Sequence, residues 1–210
     1  MSRCCLIGGA GFIGSHLVRA LEKTGREVLV IDLREPQSTT LPSTAAYLQG
    51  DIRQRTFITE ALRGVDEIVD LAYSSVPKTS YDDPISDITD NLPGSVALFE
   101  VASSLPIRKM LFLSSGGTIY GEPRTVPITE DHPTHPISPY GITKLALEKY
   151  AQMYHRTHGL PIVCVRPSNP YGEGQRPFVG QGFIATAMAS MLIGREIQIF
   201  GPRGTVRDYL

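Results

Sequence analysis

Arg3-Cys4-Cys5-Leu6-Ile7 is an apolar run without alternation, the composition of a strand buried on both faces. It runs straight into Gly8-Gly9-Ala10-Gly11-Phe12-Ile13-Gly14, and from Phe12 to Leu21 apolar residues recur at helical spacing. The order is therefore strand, glycine turn, helix. Gly8 suits the tight turn, Gly11 leaves the backbone open to an approaching pyrophosphate, and Gly14 allows close packing of the helix. The free amides at the helix start suit an anion. A plain tight turn into a helix is the other reading of the same glycines.

Val28-Leu29-Val30-Ile31 is a second buried-strand run and ends in Asp32. A carboxylate about 20 residues beyond the glycines is where a βαβ dinucleotide site places the acid that accepts from ribose hydroxyls. It would repel a 2′-phosphate, which favours NAD over NADP. Arg34 nearby weakens that preference.

Strand and helix patterns then alternate. Arg34 to Ala45 reads as a polar surface loop and Ala46 to Gln49 as a short strand. Asp51 is placed to cap a helix from about Arg53 to Arg63, stopped at Gly64. Asp66 to Ala72 reads as a strand, Tyr73 to Asp83 as a polar loop, the following residues to about Ser104 as a helix, and Lys109 to Leu113 as a fifth strand. Such alternation implies a parallel sheet covered on both faces, with ligands at the carboxyl ends of the strands. The chain has 210 residues, 41% hydrophobic, with a formal net charge of −1. Those values argue against a nucleic-acid partner recruited by charge. No apolar run has the length of a membrane span, and the start shows no signal peptide. Cys4, Cys5 and Cys164 sit in strand-like runs and read as core packing in a reducing compartment, so the expected location is cytoplasmic.

The fifth strand ends in Ser114-Ser115-Gly116-Gly117-Thr118-Ile119-Tyr120-Gly121. A proline-rich loop follows, and then Tyr140-Gly141-Ile142-Thr143-Lys144 at the start of a helical pattern. Tyr140 and Lys144, four apart, share a helix face. An ammonium beside a phenol lowers its pKa and makes it a usable general base. A solvated helix pair is the alternative.

In these motifs the chain resembles the extended short-chain dehydrogenases/reductases, and among them the NAD-dependent nucleotide-sugar epimerases and dehydratases. The resemblance is carried by the glycine turn through Ser15-His16, Gly50-Asp51-Ile52, Asn91 with Gly94-Ser95, Ser114-Ser115 through Gly121, Ser138-Pro139-Tyr140-Gly141 with Lys144, and Arg166-Pro167-Ser168-Asn169-Pro170-Tyr171-Gly172. It implies an α/β Rossmann-type doubly wound parallel sheet, an NAD-binding domain over 1–172, and over 173–210 the start of a smaller substrate-binding part. By resemblance Gly8, Gly11, Phe12, Ile13 and Gly14 hold the pyrophosphate of NAD. Asp32 and Leu33 take the adenosine ribose, and Asp51 and Ile52 the adenine. Leu71, Ala72, Tyr73, Asn91, Ser114 and Pro167 lie along the cofactor. Tyr140 is the base and Lys144 holds the nicotinamide ribose. Asn169, Gln198, Phe200 and Arg207 bind the nucleotide sugar. A surface ion pair with Asp208 is the other reading of Arg207.

Two departures stand out. Where many members carry a hydroxyl four residues before the strand-end tyrosine, this chain has Gly116. Thr118 is the expected substitute and Ser115 the second choice. No carboxylate stands at Gly117 or Thr118, where the resembling dehydratases and decarboxylases carry one. The reaction implied is 4-epimerisation of a nucleoside-diphosphate sugar, with a dehydratase, a reductase or a catalytically idle NAD-binding protein as alternatives. The family also continues beyond the Arg207-Asp208-Tyr209 element, so the chain is expected to stop short of full length. A homodimer through the helices around Ala97 and Leu147 is a further expectation of the resemblance.

Overall fold

The computed structural model describes residues 2–35, 41–42, 44–199 and 206–210. Six parallel strands form one sheet: β1 (Arg3–Ile7), β2 (Glu27–Asp32), β3 (Ala46–Gln49), β4 (Glu67–Asp70), β5 (Lys109–Leu113) and β6 (Ile162–Val165). Their order across the sheet is β3-β2-β1-β4-β5-β6. This is the doubly wound order, and its direction reverses between β1 and β4. Five α-helices are described: α1 (Phe12–Lys23), α2 (Arg55–Ala61), α3 (Pro84–Ser103), α4 (Pro139–His158) and α5 (Phe183–Leu192).

The unbroken apolar runs have their reason in two cores. Cys5, Ile7, Leu29, Ile31, Ile68 and Phe112 face one side of the sheet. Cys4, Leu6, Val28 and Val30 face the other, under Val18 of α1. Successive side chains point to opposite faces, and here both faces are covered. Cys4 and Cys5 are buried, Cys164 is partly so, and all three are free thiols.

Several boundaries differ from the sequence reading. The run containing Cys164 is a sixth strand. Strand β4 is shorter than Asp66 to Ala72. Helix α2 begins at Arg55 rather than Arg53, and Asp51 does not cap it. Its carboxylate instead accepts from the Arg53 amide at 2.9 Å and pairs with the Arg53 guanidinium at 2.7 Å. A local ion pair wins over the cap, and Gln54 stands at the helix start without a capping side-chain bond. Ile197-Gln198-Ile199-Phe200 also reads as a strand in the sequence, but residues 197–199 form none. Phe200, expected to bind the nucleotide sugar, lies outside the described residues. Leu147 is fully buried in the core between α4 and the sheet and is not available to a second copy. Among the described residues no helix is long and apolar enough to cross a membrane.

Candidate active site

The β1–α1 turn, at the point where strand order reverses, forms the floor of the main cleft. The register pairs Ile7 with Asp70, which brings Gly8 beside Leu71 and Ala72. Gly8 has φ +74°, and a Cβ there would lie 2.9 Å from the Ala72 backbone. Only glycine meets both demands. Gly14 is needed for packing against the turn itself: a Cβ on it would lie 2.5 Å from the Gly9 backbone. Helix α1 starts at Gly11 without a capping side chain, so its first amides face the cleft.

The cleft has a volume of about 2240 Å³. Gly8, Gly11, Phe12 and Ile13 line it from the turn, Asp32 and Leu33 from the end of β2, and Asp51 and Ile52 from the segment before α2. Leu71, Ala72 and Tyr73 line it beyond β4, with Asn91 from α3. Asn169, Gln198 and Arg207 border it further along. The Asp32 carboxylate accepts from the Ala10 amide at 3.2 Å and from the Arg34 amide at 3.3 Å, which fixes it at the mouth. The Asn91 side chain accepts from the Ser74 amide at 2.7 Å and donates to the Asp87 carbonyl at 2.7 Å. Asn169 is tied to the Asp208 carbonyl at 2.8 Å. The Arg207 guanidinium donates to the neighbouring Val206 carbonyl, not to the Asp208 carboxylate. Glycine cradle, open helix amides and an acid at the end of β2 together fit a dinucleotide.

Tyr140 and Lys144 lie directly behind this wall. Ser138 caps α4 by accepting from the Gly141 amide at 3.1 Å, and Pro139 opens its first turn. The Tyr140 ring packs edge-on against Tyr73, 4.9 Å between centroids. Lys144 is 2% exposed and donates to the Leu113 carbonyl at 2.7 Å. Its ammonium sits 4.0 Å from the Tyr73 ring centroid and 5.8 Å from that of Tyr140. The pair is thus not a solvated one.

The expected acidification of the phenol by lysine is not what the geometry gives. Burial, with the Asp87 carboxylate second, pushes Tyr140 up to about 12, and the Ser115 hydroxyl bonded to it opposes that rise. Lys144 itself is pulled below its ordinary value by burial, against the neighbouring carboxylates of Asp70, Asp87 and Glu148. Ser115 therefore stands against the base. Thr118 lines a smaller cleft shared with Arg207, and its buried hydroxyl has no partner. Ser114 is likewise buried with an unpartnered hydroxyl. Gly116 has a steric reason: a Cβ would lie 2.8 Å from the Arg166 carbonyl and 2.9 Å from that of Pro167.

Two acids near the base were missed in the sequence. Asp70 at the end of β4 is 1% exposed, with one carboxylate oxygen unpartnered, and burial raises its pKa against the pull of Lys144. Asp87 on α3 is 2% exposed. Both had a signal. Asp70 interrupts an apolar strand, and Asp87, Asn91, Gly94, Ser95 and Leu98 recur along the inward face of a helix.

Residues 4–210 match the family described as NAD dependent epimerase/dehydratase family. A UDP-glucose 4-epimerase from Mycolicibacterium smegmatis is 35% identical over 99% of this chain and 69% of its own length. The crystal structure of UDP-glucose 4-epimerase from Thermotoga maritima, with UDP-glucose, superimposes with a TM-score of 0.93 at 35% identity, covering 99% of this chain and 69% of that one. A dTDP-glucose 4,6-dehydratase from Streptomyces venezuelae, solved with NAD bound, gives a TM-score of 0.90 at 30% identity, covering 99% and 67%.

Proposed function

The chain belongs to the NAD dependent epimerase/dehydratase family, and from that membership we propose that the protein is an NAD-dependent nucleoside-diphosphate-sugar 4-epimerase with Tyr140 as its base. The observation that carries the reading is the half-buried Tyr140 beside the buried Lys144, set behind a glycine-floored cleft. The turn from Gly8 to Gly14 and the amides of α1 would hold the pyrophosphate. Asp32 would hold the adenosine ribose, and its charge selects against a 2′-phosphate. Bound in the cleft, NAD supplies an acceptor for the sugar C4 hydride that can return it to the opposite face. The chain's own residues handle the proton. Tyr140, as phenolate, takes it from the C4 hydroxyl and gives it back. Ser115 holds the phenol oxygen, and Lys144 orients the ribose. Arg207 and Asn169, at the far border of the cleft, would take the diphosphate, which a guanidinium can bind in two-pronged fashion.

The absence of a carboxylate at Gly117 and Thr118 favours simple epimerisation over elimination of water, although a dehydratase is among the structural neighbours. The outward faces of α3 and α4 carry exposed Ile88, Tyr150 and Met153, which suits pairing of two copies.

The test is to incubate the purified protein with UDP-glucose, UDP-N-acetylglucosamine and their C4 epimers, without added cofactor, and to follow each sugar by NMR. Interconversion that is lost in Tyr140→Phe supports the reading and names the sugar. A stoichiometric change in nicotinamide absorbance without interconversion points to a net reductase or dehydrogenase. Neither signal, with NAD bound, leaves a binding protein.

A further inference from the structure

Asp87 is the buried charge that the mechanism above leaves unused. Its carboxylate accepts from the Thr143 hydroxyl at 2.7 Å, from the Ser75 hydroxyl, and at a longer 3.4 Å from the Tyr73 phenol. Thr143 comes from α4, three residues after Tyr140. Ser75 and Tyr73 come from the loop after β4, and Tyr73 is the ring packed against Tyr140. One carboxylate thus joins the three elements that enclose the base. Three hydroxyl donors on a single acid also match the acceptor capacity of an ionised carboxylate.

The other groups facing Tyr140 set the local charge. From α4 comes the Lys144 ammonium, 5.8 Å from the ring centroid. Asp70, at the end of β4, acts on Lys144. Glu148, one turn further along α4, is engaged by Arg166 at 2.6 Å. The neutral neighbours are Tyr73 and Ser115. Two carboxylates, Asp70 and Asp87, against one ammonium leave a net negative charge, and a phenolate would add a second. In a site with little water such charges interact strongly.

We propose that Asp87 is a positioning residue for the base: it ties Tyr73, Ser75 and Thr143 around Tyr140 and fixes a negative charge beside the phenol that opposes its ionisation. The proposal rests on Tyr140 being the base. A merely structural Asp87 would need only to accept hydrogen bonds. The opposition to ionisation needs its charge, and Asp87→Asn separates the two.

The experiment labels tyrosine rings with ¹³C and identifies the Tyr140 signal by its loss in Tyr140→Phe. The signal is then titrated in the purified cofactor-free protein, in Asp87→Asn, and in Thr143→Val, which removes a hydrogen bond and keeps the charge. The wild-type midpoint is expected above the roughly 10 of free tyrosine. Asp87→Asn is expected to move it about one pH unit or more towards acid, and Thr143→Val much less. An unmoved midpoint in folded Asp87→Asn overturns the proposal, as does an equal shift in Thr143→Val. Should Asp87→Asn fail to fold, a cofactor-free wild-type midpoint at or below about 10 overturns it. Sugar conversion is not read in any arm, so a failed epimerase assay and a failed titration are separate results.

Discussion

The amide of Gly116 donates to the carbonyl of Pro167 at 2.9 Å, locking the segment after β5 against the segment after β6. That closeness is why no hydroxyl side chain stands at this position. Gly116→Ser, the change that would bring in the expected hydroxyl, is expected to lower stability by about 1–3 kcal/mol through forced overpacking. Thermal melting checks this. An unchanged melting temperature would mean that the two segments separate easily.

With Gly116 excluded, Ser115 is the hydroxyl expected to serve Tyr140, since its side chain opposes the rise of the phenol's pKa. A hydrogen bond to a charged phenolate contributes about 1.5–3 kcal/mol. Ser115→Ala is therefore expected to reduce kcat by ~10- to 100-fold with little change in KM. Thr118→Val, which removes a hydroxyl with no partner in the structure, is expected to cost far less. Steady-state kinetics on both variants decide between them. A larger loss from Thr118→Val would reverse the assignment.

Arg166 ties the proline-rich segment to the helix that carries the base. It grips Glu148 of α4 at 2.9 and 2.6 Å, and donates to the Tyr120 hydroxyl at 2.9 Å and the Glu130 carbonyl at 3.1 Å. The Glu148 side chain is 7% exposed. Glu148→Ala leaves a partly buried guanidinium without its carboxylate, at a cost of about 2–3 kcal/mol. Denaturant melts should show that loss, and limited proteolysis should show faster cleavage between Gly121 and Ser138. Resistance equal to wild type would show that the segment is held by other contacts.

The strand-glycine-helix unit was legible because each of its features answers to a local rule: an apolar run, glycines where a Cβ would collide, an acid at the next strand end. Ile52, Leu71, Ala72, Tyr73 and Asn91 came instead from the family resemblance, and all of them line the cleft. What was hidden depends on packing between elements far apart in sequence. The Tyr140–Lys144 spacing was visible, but it did not show that Lys144 turns to the Leu113 carbonyl or that Asp87 arrives from α3. The sign of the phenol's shift is set first by burial, which only the packed fold reveals, and second by the Asp87 carboxylate. Helix α2 was misplaced for a smaller reason: Asp51 has an arginine two residues on, and the ion pair takes the carboxylate a cap would use.

Asp70 gives the fold a particular acid behaviour. Burial pushes its carboxyl up to about 6, above the ordinary 3.8 of an aspartate. Between those values the folded protein holds a proton that the unfolded chain has released. By linkage, this contribution to stability is fully present below about pH 4 and is lost as pH rises through 6. Unfolding free energies of wild type and Asp70→Asn between pH 4 and 6.5 should therefore diverge, wild type losing stability relative to the variant as pH rises. Parallel curves would mean that Asp70 titrates normally.

Asp32 is expected to decide which dinucleotide enters. Its two oxygens are pinned by the amides of Ala10 and Arg34, so the charge cannot swing away from an incoming ribose. A 2′-phosphate would meet a fixed carboxylate, whereas ribose hydroxyls would donate to it. The Arg34 side chain stands two residues on, ready to face a phosphate once the acid is gone. Asp32→Ser is thus expected to weaken NAD binding by ~10-fold or more, since hydrogen bonds to a charged acceptor contribute about 1.5–3 kcal/mol, and to strengthen NADP binding. Calorimetric titration of the two cofactors measures both changes. NAD affinity that survives Asp32→Ser would place the ribose elsewhere along the cleft. A loss of NAD affinity without a gain for NADP would keep the ribose contact and remove Arg34 from the selection.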